Sequence, residues 1–105
     1  MLWGNNVLRV EDLDMDLIAR TITRNERQIE LTSREFSLLE ILMLSSPRPI
    51  SKALLLERVW GRRLERTNVV SVHVNRLRKK VNLPGAPPLL HTIRGLGFVV
   101  ARKPG

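Results

Sequence analysis

Residues 67–81, TNVVSVHVNRLRKKV, followed by residues 91–100, HTIRGLGFVV, decide how this chain is read. The first stretch has the spacing of a helix. A rotation of about 100° per residue gathers Val70, Val74, Leu77 and Val81 on one face, directed at a core. Opposite them fall Asn68, Val72, Asn75 and Lys79, with Ser71 and Arg78 on one flank and Arg76 on the other. The second stretch reads as a hairpin. Residues 89–94 and 98–100 can pair across Gly95-Leu96-Gly97, which puts Arg94 near the tip.

Charge is segregated along the chain in the same sense. The last forty residues, 66–105, hold eight lysines and arginines and no aspartate or glutamate. Residues 1–31 have a net charge of −2 and residues 32–105 a net charge of +10, within an overall +8. A one-sided positive potential of this kind most often meets a polyanion, and nucleic acid is the commonest. The outer face of residues 67–81 suits such a partner. Arginine and lysine neutralise phosphates, asparagine can offer a donor and an acceptor together to an adenine edge, and an exposed valine can contact a thymine methyl. An arginine on a thin hairpin can enter a narrow minor groove, where negative potential is concentrated. The competing readings are an ordinary solvated helix face and a solvated turn arginine.

Composition excludes several other classes. At 105 residues, 43% hydrophobic and 27% charged, the chain suits one globular domain with a modest core. The longest apolar stretch, residues 38–44, is interrupted by Glu40, and is far shorter than the roughly 20 residues a membrane-spanning helix needs. The opening MLWGNNVLRV lacks the basic start and apolar centre of a secretory signal, and there is no cysteine. A cytoplasmic location without a membrane partner is the expectation. An enzyme is not expected, because only two histidines are present and the basic half has no acidic residue to orient either. Gly95-Leu96-Gly97 is no phosphate loop, since neither a helix nor Gly-Lys-Ser/Thr follows it. No metal or cofactor is expected.

Upstream, the segments 7–10, 13–17, 20–24 and 28–31 predict a small antiparallel sheet, with Asn25, Glu26 and Arg27 as a turn. Thr32 and Glu35 have capping-box spacing, and Leu31 and Phe36 can staple around them, so a first helix is predicted from Thr32. Its apolar face is Phe36, Leu39, Leu42 and Met43, broadened by Leu38, Ile41 and Leu44, and Pro47 and Pro49 end it. Ser51 can cap a second helix that carries Leu54, Leu55, Leu56, Val59 and Trp60 and stops at Gly61. Residues 61–66, GRRLER, read as a loop, and Thr67 opens the third helix.

Taken in order, LTSREFSLLEIL, ISKALLLERVW, TNVVSVHVNRLRKKV and HTIRGLGFVV resemble the winged-helix effector domains of the OmpR/PhoB response regulators over nearly the whole chain. The heavy-metal-responsive branch often carries TNVV at this point and is similar there. The resemblance implies an α+β fold: a winged helix-turn-helix with an N-terminal antiparallel β-sheet over 1–31, three helices within 32–81 and a C-terminal β-hairpin wing over 89–100. It implies the DNA-binding output domain of a two-component transcriptional regulator, with duplex DNA as partner, arranged as tandem half-sites. A phosphorylatable receiver domain normally precedes it and supplies dimerisation. A chain of 105 residues cannot hold both modules, so it reads as part of a longer regulator.

Residue by residue, the resemblance makes 67–81 the recognition helix, with Asn68, Ser71, Val72, Asn75, Arg76 and Arg78 facing DNA and Lys79 touching phosphate. Thr92 and Arg94 match wing positions that contact the backbone and the minor groove, and Gly95 and Gly97 match the wing turn. His73 and His91 stand between packing and DNA contact. Ser71 occupies a position that is commonly aspartate and Asn75 one that is commonly arginine, so the family's base preference does not carry over. The loop before the recognition helix contacts RNA polymerase in some members, which makes Arg62, Arg63 and Glu65 candidates for that contact. A basic winged helix serving RNA or a protein partner is the alternative. Single-strand RNA readers usually expose aromatics, however, and the chain has only Trp3, Phe36, Trp60 and Phe98.

Overall fold

The computed structural model describes residues 6–61 and 68–103. Four short strands, β1 (Val7–Val10), β2 (Leu13–Asp16), β3 (Thr21–Arg24) and β4 (Arg27–Ile29), form an antiparallel sheet in sequence order. The strand period decides which side faces inward. Leu13, Met15, Ile22 and Ile29 are buried, and the pairings Met15 with Ile22 and Ile22 with Ile29 keep them on one face. The predicted turn at Asn25, Glu26 and Arg27 is tighter than expected. Asn25 and Glu26 alone make it, at φ 52° and 69°, and Arg27 opens β4 opposite Arg24. Two successive left-handed residues match the right-handed twist of the strands they join.

Helix α1 (Ser33–Ser45) begins one residue after the predicted start, because Thr32 is its cap. The Glu35 N–H donates to Thr32 Oγ1 at 3.2 Å and the Thr32 N–H donates to Glu35 Oε1 at 2.9 Å, a complete capping box. Phe36, Leu38, Leu39, Leu42 and Met43 are buried as the periodicity requires. Leu44 does not belong to that face. It is 62% exposed, since it lies beside the loop where Ser46 leaves the helix in extended conformation.

Helix α2 (Lys52–Leu55) is capped by Ser51, whose Oγ accepts from the Leu54 N–H at 3.1 Å. It continues through a π-helical turn, Leu56–Trp60, and stops at Gly61, φ 85°. Helix α3 (Asn68–Val81) presents Val70, Val74, Leu77 and Val81 to the core, all at 0% exposure. The wing is β5 (Leu90–Ile93) paired with β6 (Gly97–Val100). Its turn is Arg94-Gly95-Leu96, one residue earlier than predicted, and Gly97 is the first residue of β6, opposite Ile93.

Gly97 is confined by a neighbour that the sequence did not announce. Ile50 forms a bridge to β6, exchanging N–H···O bonds of 2.8 and 2.9 Å with Phe98. A Cβ at residue 97 would lie 2.0 Å from the Ile50 carbonyl oxygen, and φ is +143°. Glycine alone tolerates both conditions. The bridge pins the wing's return strand to the start of α2 and so to the helical core.

Candidate nucleic-acid interface

The outer face of α3 is open. Asn68, Val72, Asn75, Arg76 and Lys79 are exposed, with Val72 at 44%, and Ser71 and Arg78 are half-buried on the flank. This is the arrangement that the 100° rotation predicts, with four apolar residues sealed on the opposite side. An exposed valine amid amide and basic side chains is not required by packing. Arg62, Arg63 and Glu65, and the predicted opening residue Thr67, lie outside the described residues.

The wing stands next to this face. Thr92, Arg94 and Gly95 are exposed and Leu96 closes the turn through its N–H to the Ile93 carbonyl at 2.9 Å. One side chain joins the two elements. Arg78 Nη1 donates to Asn75 Oδ1 at 3.2 Å, and Nη2 donates to Thr92 Oγ1 on β5. Arg78 is thus shared between helix and wing in the free protein, where the sequence placed it simply among the outward residues. A groove between the start of α2 and the wing also brings Lys52 close to Thr92 and Arg94. Sequence reasoning missed Lys52, because nothing local says that the α2 cap returns to the hairpin.

Both histidines are engaged within the protein. His73 Nδ1 bonds the Val69 carbonyl at 2.9 Å, one turn back, and its ring meets Trp60 edge-on with centroids 4.9 Å apart. His91 Nε2 bonds the Ala101 carbonyl at 2.9 Å. Within the fold, His73 packs and bonds the backbone, and His91 bonds the backbone.

Two buried charges hold α3 in place; the sequence marked Glu35 only as a capping-box residue and did not mark Arg24. Arg24 projects from β3 into the core at 1% exposure. Its Nε donates to Asp12 Oδ1 at 3.0 Å, Nη1 to the Val81 carbonyl at 2.7 Å and Nη2 to the Pro87 carbonyl. The Val81 carbonyl is the last of α3, so a cation sits where the helix dipole favours one and satisfies an acceptor that no helical N–H can reach. At the other anchor, Lys80 Nζ donates to Glu35 Oε1 at 2.6 Å. Glu35 is 2% exposed. Burial alone would raise its pKa, but the Lys80 ammonium and the Thr32 N–H together hold it below the ordinary carboxylate value. The N-terminal cap of α1 thereby doubles as a mooring for the C-terminal end of α3.

Residues 25–100 match the family described as "Transcriptional regulatory protein, C terminal". The chain belongs to the OmpR/PhoB family of winged-helix effector domains. It is 42% identical over 94 residues to the response regulator MprA of Mycolicibacterium vanbaalenii, covering 89% of this chain and 41% of that protein. It is 39% identical over 98 residues to MprA of Mycobacterium tuberculosis, covering 92% and 43%. The chain therefore spans about two fifths of the curated relatives it matches. Among solved structures, DrrB of Thermotoga maritima, an OmpR/PhoB homologue, superposes with a TM-score of 0.79 at 26% identity, over 91% of this chain and 44% of DrrB. The RstA DNA-binding domain of Klebsiella pneumoniae, solved in complex with the RstA box, superposes with a TM-score of 0.82 at 22% identity, over 94% of this chain and all of that one. At that identity the RstA likeness shows the fold. The OmpR/PhoB domain is thus a transcriptional output module, and among the described residues no helix is long and apolar enough to cross a membrane.

Proposed function

We propose that this OmpR/PhoB effector domain binds duplex DNA sequence-specifically, with α3 in the major groove and wing Arg94 in the adjacent minor groove. The observation that carries the reading is the shared surface of α3 and wing: an open stripe of Asn68, Val72, Asn75, Arg76 and Lys79 joined through Arg78 to Thr92, with Arg94 exposed at the hairpin turn. Lys79, and Lys52 from the cap of α2, neutralise phosphates and set the register. Asn75, Val72, Ser71 and Asn68 meet base edges. The glycine at 97 lets the wing lie against Ile50 and thereby fixes how far Arg94 reaches. In the longer regulator, phosphorylation of a receiver pairs two such domains on tandem half-sites in the cytoplasm.

Competition for a labelled duplex tests the class of partner directly. Duplex DNA is expected to displace the label at much lower concentration than single-stranded RNA of equal length. Equal competition by the RNA would favour the alternative of an RNA-binding winged helix. Within duplex DNA, Asn75→Ala is expected to relax preference at one base pair while leaving the others unchanged. An unchanged preference at every position would remove Asn75 from the reading set.

A further inference from the structure

We infer that Arg78 is a positioning residue that turns Asn75 and Thr92 into outward hydrogen-bond donors, so that Asn75 reads a base acceptor and rejects cytosine. The inference rests on the DNA-reading role proposed above and deepens it. A guanidinium has five N–H donors and no acceptor, so the Asn75 atom 3.2 Å from Nη1 is the amide oxygen and the amide nitrogen is the group turned away. The Thr92 oxygen likewise accepts from Nη2, which leaves its own O–H proton to be donated elsewhere.

The guanidinium is planar and rigid, so one group fixes two others, on α3 and on β5, in a single geometry. Its remaining edge is not free to swing. Arg78 Nε is buried and has no hydrogen-bond partner among the described residues. An arginine seeking only phosphate would keep that N–H hydrated, whereas here the side chain is wedged into the seam between helix and wing. The resulting outer surface offers donors where the sequence suggested a paired donor and acceptor for adenine. In the major groove guanine N7 and O6, adenine N7 and thymine O4 accept, and cytosine presents only its N4 amino donor.

Arg78→Lys keeps the charge but lacks the rigid planar fork that fixes both partners in one geometry, and Asn75→Asp keeps the acceptor facing Arg78 but has no N–H to offer. Affinities are measured on four duplexes that differ only at the base pair contacted by residue 75. That position is the one at which Asn75→Ala relaxes the wild-type preference. The wild type is expected to disfavour cytosine by about tenfold. Arg78→Lys is expected to erase most of that difference, and Asn75→Asp to reverse it. An unchanged ratio in Arg78→Lys, or a wild type that accepts cytosine as readily as the other bases, would overturn the inference while leaving sequence-specific binding intact. Amide exchange in the DNA-free protein gives a second readout that does not depend on DNA reading. Wing residues 92–97 should exchange faster in both Arg78→Lys and Thr92→Val, and protection equal to the wild type in both would show that Arg78 does not hold the wing. Failure of the wild type to prefer any duplex sequence would instead sink the DNA-reading proposal itself.

Discussion

Arg24→Met removes the fork that ties the N-terminal sheet to the end of α3 while keeping an unbranched apolar stem in its place. Two carbonyls, Val81 and Pro87, lose a charged donor in a region where the arginine is 1% exposed. Leaving a buried acceptor unsatisfied costs about 1–3 kcal/mol, and two such acceptors give roughly 3–4 kcal/mol once partial hydration of the loop at Pro87 is allowed for. The third bond contributes little. The Asp12 side chain is 43% exposed, so its charge rehydrates and the loss there stays below about 1 kcal/mol. Urea denaturation at neutral pH should show a lower midpoint with an unchanged slope, and the melting temperature should fall by about 12–32 °C at roughly 4–8 °C per kcal/mol. Asp12→Asn, by contrast, should stay within about 1 kcal/mol of the wild type. A loss below about 1 kcal/mol in Arg24→Met would refute the claim that this side chain anchors α3.

Gly97→Ala should cost about 3 kcal/mol, because the new Cβ must displace the Ile50 backbone and so forfeit two bridge hydrogen bonds on top of the strain of positive φ. Gly95→Ala meets nothing within 4 Å and should cost only the strain, about 1 kcal/mol; equal losses by thermal melting would contradict the close-approach argument. Glu35 is held below its ordinary pKa, so its contribution is complete above about pH 4.3 and is lost as pH falls through the lower folded value. The stability gap between wild type and Glu35→Gln should therefore shrink on acidification, and a gap constant down to pH 3 would argue against the Lys80 pairing. Lys79→Gln should weaken all duplexes alike and reduce the slope of log affinity against log salt by about 0.9. A change confined to one sequence would make Lys79 a base reader instead.

The helices of this fold were legible because their signals are local. The capping box at Thr32 and Glu35, the cap at Ser51, the stop at Gly61 and the 3.6-residue period of α3 are all written within a few residues. The exposed half of the candidate interface followed from the same period. The misplacements came where local signals were ambiguous. Leu44 is apolar and in phase, but it is exposed at the helix end, and the wing turn shifted by one because Gly97 is needed for Ile50 rather than for the turn. The deeper omissions are long-range. Arg24 in a strand reads as a surface arginine until α3 and the loop at Pro87 are brought to it, 57 and 63 residues away. Lys80 reads as part of a basic stripe until Glu35 arrives from α1. Arg78 falls on the correct flank, yet only the folded hairpin reveals that it holds Thr92.

The central claim is that this surface selects a DNA sequence rather than merely attracting phosphates. Selection from a randomised duplex pool at moderate salt, at high protein concentration to offset weak monomer binding, tests it most directly. Enrichment of a compact half-site, especially in tandem copies, is the expected result. Retention of DNA without enrichment of any sequence would contradict the account, because it would mean that charge alone drives binding.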